Sequence, residues 1–285
     1  MAPGPVVGHG WATENGVEVD QHVRVGGRRL AIRRSGSGPP VVLLNGVLMS
    51  LAAWEPVVAH LDGFDCIRVD APGIMETAGS QPVVTMSGFA SLIRDLLDEL
   101  GIDRADVIGY SFGGMVAQQM AFDASARVRR LVLVSTSCGW GAVPSNPIAW
   151  WNALLRDGWP APTEALPVWF MRQWTAVLRQ EFGTRWGDGL WLFAEQLAAA
   201  TSWSSLLWLT TLTQRTLVIT GTVDALVPPQ NATVLASRIP GAQAYRVRGG
   251  GHQCLWDYAD ETGPVIAEFL RSTDSAALDQ PVQLR

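Results

Sequence analysis

An apolar strand that runs straight into a glycine-flanked serine and out again into a helix leaves a chain few folds to choose from. Here the strand is ADVIGY (105–110), the turn is Gly109-Tyr110-Ser111-Phe112-Gly113-Gly114, and the helix continues as MVAQQMAF. A serine so placed sits on a tight, strained turn that lifts its Oγ above the edge of a sheet. Small residues at 109 and 113 keep neighbouring backbone clear of it. The G-x-S-x-G string alone is short, and a plain glycine-rich turn would carry the same letters. The flanking strand and helix give it weight. A dinucleotide-binding turn is excluded, because G-x-G-x-x-G needs glycine where Ser111 stands.

The same alternation runs through the rest of the chain. HVRV and LAIRR flank Gly26-Gly27 and read as a β-hairpin. VVLLN (41–45) is an unbroken apolar run of the kind buried on both faces of a parallel sheet. FDCIRVD (64–70), RRLVLVST (129–136), TLVITG (216–221) and QAYRVR (243–248) are further strands. Helices are expected at 87–100, ended by Gly101, and near 230–238 and 259–271. Strands alternating with helices through short joins predict an α/β fold with a mostly parallel sheet. Residues 138–212 break the rhythm and hold ten of the thirteen tryptophans, among them Trp140, Trp203 and Trp208. They read as a helical cap inserted into a core formed by 1–137 and 213–274, with 275–285 a loose tail.

Composition removes several chemistries. All 21 basic residues are arginine, so Schiff-base catalysis, pyridoxal-phosphate attachment and a Walker-A lysine are excluded. The net charge of −5 argues against nucleic acid or an anionic membrane as partner. Three scattered cysteines (Cys66, Cys138, Cys254) suggest a reducing compartment. With four histidines (His9, His22, His60, His252) they show no zinc-ligand spacing, so no metal or other cofactor is expected. The opening MAPGPVVGHGW lacks the basic and apolar regions of a signal peptide, and no apolar run is long enough to span a bilayer. A cytoplasmic protein is expected, acting as a monomer or homodimer.

A serine hydroxyl needs a base, and the base needs an orienting carboxylate. Where a sheet carries such an elbow, the chain order is serine, acid, histidine. His252, in Gly249-Gly250-Gly251-His252, is the sole histidine after Ser111, on a loop expected to be flexible enough to swing it onto the serine. Asp224 follows TLVITG at a strand's C-terminal end, where α/β sheets place their sites. Asp70 also follows a strand but precedes the serine, and Asp257 is read as a cap for the last helix. Two backbone N–H groups should receive the negative charge that develops on an attacked carbonyl. Phe112 supplies one, and Val47, in the turn Asn45-Gly46-Val47 after VVLLN, the other.

With these residues in place the chain resembles an α/β-hydrolase from about residue 22 to 271. LLNGV, RVDAPG, GYSFGGMVAQQMAF and the TLVITGTVDALVP…GGGH order are similar to the intracellular medium-chain polyhydroxyalkanoate depolymerase branch, including Asn45-Gly46 where His-Gly is more widespread. The resemblance implies an eight-stranded sheet with helices on both faces, a helical cap after strand 6, Ser111 as nucleophile, and hydrolysis of a hydrophobic ester. Asn45, Gly46, Met49, Tyr110 and Trp140 are then expected to contact a small apolar ester or acyl substrate. In one respect the chain departs from the family: D-x-P-G-x-G-x-S is stretched over Asp70 to Ser80, bringing Met75 and Glu76 towards the pocket. Acyl transfer, cyclisation or a lyase reaction with the same three residues is the alternative.

Overall fold

Each buried run splits between two faces of one sheet, because successive side chains on a strand point opposite ways. The computed structural model describes residues 21–47, 49, 51–69, 83, 85–145 and 196–272. Eight strands are ordered β1-β2-β4-β3-β5-β6-β7-β8. They are β1 (Gln21–Val25), β2 (Arg28–Gly36), β3 (Pro40–Leu44), β4 (Asp65–Val69), β5 (Ala105–Tyr110), β6 (Val128–Val134), β7 (Arg215–Gly221) and β8 (Gln243–Val247). β1–β2 and β2–β4 pair antiparallel, and every other pairing is parallel. The hairpin turns on Gly26-Gly27, both at positive φ. The expected mixed, mostly parallel α/β-hydrolase sheet is present.

Among the described residues the helices are α1 (Glu55–Val58), α2 (Met86–Glu99), α3 (Phe112–Asp123), α4 (Gln230–Arg238), α5 (Cys254–Asp257) and α6 (Ala259–Arg271), with residues 196–201 also helical. Val42 and Leu44, Val107, Leu131, Leu133 and Val218 turn to the face covered by α2, α3 and α4. Their neighbours Val41, Leu43, Ile108, Val132, Val134, Leu217 and Ile219 turn to the face covered by α1, α5 and α6. α2 starts where the Thr85 hydroxyl accepts the Gly88 N–H at 3.1 Å, and Gly101 at φ 66° stops it. The short helices α1 and α5 carry too few residues for a periodic signal, and sequence reasoning missed both. Asp257 belongs to α5; the residue before α6 is Tyr258, and no side chain caps that helix.

Between β6 and β7 lies an insertion, residues 135–214, helical at 196–201 among its described residues. Most of its tryptophans, the stretched 70–80 segment with Met75 and Glu76, and the 275–285 tail lie outside the described residues. The turn after β3 and the loops after β5, β7 and β8 gather Asn45, Ser111, Asp224 and His252 at the carboxyl ends of the strands. Charge is anchored elsewhere, near the strands' amino ends. Arg34 holds Asp65 with two hydrogen bonds of 2.7 and 2.6 Å, and Arg129 holds the fully buried Asp106 with two of 2.8 and 2.5 Å.

Candidate active site

Ser111 stands between β5 and α3 with φ 50° and ψ −114°, a conformation that costs an L-residue energy and persists only where its surroundings dictate it. They do. Its N–H donates to Val134 O at 2.9 Å, and its carbonyl accepts from Gly114 N at 3.0 Å and from Thr136 Oγ1 at 2.7 Å. A Cβ at Gly109 would lie 2.4 Å from Gly113 O, and one at Gly113 would lie 2.2 Å from Leu44 O. Backbone approach therefore demands both glycines. The Ser111 side chain makes no capping bond to α3, so its hydroxyl is left to other partners.

That partner is His252. Its Nε2 lies 3.2 Å from Ser111 Oγ, and its Nδ1 lies 2.8 Å from Asp224 Oδ2. An ionised carboxylate only accepts, so Nδ1 carries the proton and Nε2 is free to accept from the serine. Asp224 is buried at 3 % exposure, and its Oδ1 accepts the N–H groups of Leu226 at 2.9 Å and Val227 at 2.8 Å. The whole carboxylate is thus satisfied without solvent.

The histidine loop is fastened rather than free to swing. Val223 N donates to Gly250 O at 3.0 Å, Gly249 N to Thr222 Oγ1 at 2.9 Å, and Tyr110 Oη to the His252 carbonyl at 3.3 Å. A Cβ at Gly221 would lie 2.1 Å from Gly250 O, so strand and loop are in backbone contact. Burial, helped by the Asp224 charge, pushes the Tyr110 hydroxyl well above its ordinary range and keeps it a neutral donor.

Phe112 N–H opens the 12-residue α3, whose dipole adds positive potential there, and Val47 follows the turn after β3. Neither N–H meets an acceptor among the described residues. Asn45, at 2 % exposure, turns inward: its Nδ2 donates to Met49 O at 2.8 Å and its Oδ1 accepts from Trp54 Nε1. It braces the turn. A Cβ at Gly46 would lie 2.8 Å from the Tyr110 ring, so the turn is pressed onto that ring. Tyr110 packs on His252 at 5.2 Å and on Trp256 at 4.3 Å, with buried Met49 and Trp54 in the same cluster. Asn45, Gly46, Met49 and Tyr110 therefore form the bed beneath the site. Trp140 is 78 % exposed and joined through its backbone to Trp203 and Ser204.

Sequence reasoning missed Trp54, Trp256 and Thr136, none of which carries a local motif. Among the described residues, no cluster of His, Cys, Asp or Glu could hold a metal ion, and no helix is long and apolar enough to cross a membrane.

Residues 39–167 match the alpha/beta hydrolase fold family. The chain is 31 % identical over 250 residues to a poly(3-hydroxyalkanoate) depolymerase of Ectopseudomonas oleovorans, covering 85 % of this chain and 88 % of that one. It is 26 % identical over 300 residues to a 2-hydroxymuconate semialdehyde hydrolase of Pseudomonas sp. strain CF600, covering 94 % and 99 %. A crystal structure of a hydrolase from Pseudomonas aeruginosa PA01 shares the fold, with a TM-score of 0.73 at 24 % identity, covering 89 % of this chain and 98 % of that one. With its sheet order, its strained serine turn and its alignment to the depolymerase along most of both chains, this protein belongs to the α/β-hydrolase family.

Proposed function

We propose that the protein is a serine hydrolase cleaving a hydrophobic carboxylic ester, with Ser111 as nucleophile, His252 as base and Asp224 as the orienting acid. One observation carries the reading. The hydrogen-bond chain from Ser111 Oγ through His252 to Asp224 is continuous, at 3.2 and 2.8 Å, and its far end is anchored by two backbone N–H groups.

Ser111 Oγ attacks the ester carbonyl carbon while its proton passes to His252 Nε2. The carbonyl oxygen becomes an oxyanion facing the N–H groups of Phe112 and Val47. The C–O bond to the alcohol then breaks, and the imidazolium returns its proton to the departing alkoxide. Water, activated by the same imidazole, attacks the acyl-serine and releases the acid. Asp224 stabilises the imidazolium at both stages without itself taking the proton.

The apolar substrate class is supported by the tryptophan load of 138–212, which together with the core segments 1–137 and 213–274 makes the proposed cap-and-core division. The similarity to a poly(3-hydroxyalkanoate) depolymerase makes 3-hydroxyacyl esters the first to try, as small substrates met in the cytoplasm. The deciding experiment is p-nitrophenyl ester turnover beside fluorophosphonate labelling, in wild type and Ser111→Ala. Both activities should vanish in a folded Ser111→Ala. Labelling that persists there names another nucleophile, and labelling of wild type without ester turnover points to acyl transfer, cyclisation or lyase chemistry.

A further inference from the structure

We infer that Ser135 and Thr136 are a positioning pair that sets the separation between Ser111 and His252, an inference that rests on the hydrolase reading above. The two reacting side chains sit on different loops, one after β5 and one after β8, with β6 and β7 lying between those strands in the sheet. A proton transfer tolerates only a few tenths of an ångström of error in such a pair. Tyr110 Oη already ties them through the His252 carbonyl, and a second tie runs through Ser135 and Thr136.

The tie begins with backbone strain. Among the described residues only two non-glycine residues have positive φ: Ser111 at 50° and Ser135 at 45°. Ser135 directly follows β6, where Val134 faces the α1, α5 and α6 side of the sheet. In a regular strand the next side chain would face the other layer, and the one after would return. The left-handed conformation inverts that order. Ser135 Oγ instead lies 3.6 Å from the sulfur of Cys254, a member of the same layer as Val134, and Ser135 N–H donates to Ile219 O at 2.9 Å. Thr136 consequently points to the α3 side. Its hydroxyl donates to the Ser111 carbonyl at 2.7 Å, and its Cβ stands 2.6 Å from where a Cβ on Gly114 would be.

Each half of the pair thus grips one loop. Thr136 holds the carbonyl of the nucleophile itself, and Gly114, by lacking a side chain, lets it come that close. Ser135 holds Cys254, which starts α5 just after His252 and whose N–H donates to Gly251 O at 3.2 Å. Both residues are buried, at 1 % and 3 % exposure, so water does not compete for either contact. Neither hydroxyl touches the reacting atoms. Both act through the residues they hold.

The test compares Thr136→Val, which keeps the shape but loses the hydroxyl, with Thr136→Ser, which keeps the hydroxyl, and with Ser135→Ala. Kinetics on p-nitrophenyl hexanoate should show kcat falling about 10- to 100-fold in Thr136→Val with KM within about twofold, because misplacement by an ångström or less costs on that scale. Thr136→Ser should recover to within a few-fold of wild type. The proton resonances of the His252 imidazole should shift in Thr136→Val and Ser135→Ala and hold still in Thr136→Ser, a signature that general loss of stability does not produce. Unmoved resonances in both Thr136→Val and Ser135→Ala would overturn the inference, as would an unchanged kcat in Thr136→Val. If Thr136→Val does not fold, Ser135→Ala decides through the same resonance. Absence of ester turnover and of labelling in wild type would sink the hydrolase reading, while the resonances would still judge the coupling by themselves.

Discussion

Asp224 holds His252 with one carboxylate oxygen and its own loop with the other. Oδ2 meets Nδ1 at 2.8 Å, and Oδ1 takes the N–H groups of Leu226 and Val227. This division makes Asp224→Asn more than a loss of charge. The two backbone donors orient the new amide with its oxygen towards them, leaving the NH₂ facing Nδ1. The imidazole must then accept at Nδ1 and carry its proton on Nε2, the wrong tautomer for taking one from Ser111.

For Asp224→Asn we expect kcat to fall by up to about 10⁴ with the fold intact. Asp70→Asn, at a position outside the described residues, should cost about tenfold or less, the scale of one lost hydrogen bond. Steady-state kinetics on the two folded variants check both, and the assignment fails if Asp70→Asn is the deeper lesion.

Asn45 offers a separate test, because its side chain spends both polar ends on the protein. Asn45→Ala would leave the Trp54 indole N–H and the Met49 carbonyl buried without their partner. Unmet buried groups of this kind cost roughly 1–3 kcal/mol each. Urea unfolding should show a loss of about 2 kcal/mol or more, and kcat should drop about tenfold as the turn carrying Val47 relaxes. Full stability in Asn45→Ala would show that the brace is not needed.

Alkaline stability follows from Cys254. Burial pushes its thiol from an ordinary 9.0 up to about 12. In the unfolded chain the thiol ionises first, so between those values the folded state holds the extra proton and stability falls as pH rises. The slope is roughly 1 kcal/mol per pH unit for one such group. Urea midpoints taken across that range should fall less steeply in Cys254→Ala than in wild type, whatever the variant's absolute stability. The thiol should also stay unreactive to Ellman's reagent until the protein unfolds.

Chain-length preference probes the substrate class. Each buried methylene is worth about 0.8 kcal/mol, so kcat/KM should climb one to two orders of magnitude from acetyl to the hexanoyl–decanoyl esters if the transition state realises that binding. A flat or falling series would remove the long apolar pocket from the proposal.

How much of this was legible beforehand depends on the range of the interaction concerned. β5 could be placed from its apolar run, and helices α4 and α6 from their spacing, because each signal lies within one short stretch of chain. The elbow was legible for the same reason, as strand, serine and helix are contiguous, and His252 was singled out by elimination among four histidines. That Tyr110 also anchors the His252 carbonyl, 142 residues away in the chain, no local pattern could show. The histidine loop, read as mobile from its three glycines, is pinned because Gly221, having no side chain, lets the Gly250 carbonyl press onto the end of β7. Nor does any propensity favour serine at φ 45°, so Ser135 and the reach of Thr136 to Ser111 were invisible. Period reveals which face a residue turns to. Which partner waits there is settled by packing between segments far apart in the chain, and that packing also holds two serines in a conformation their own backbones disfavour.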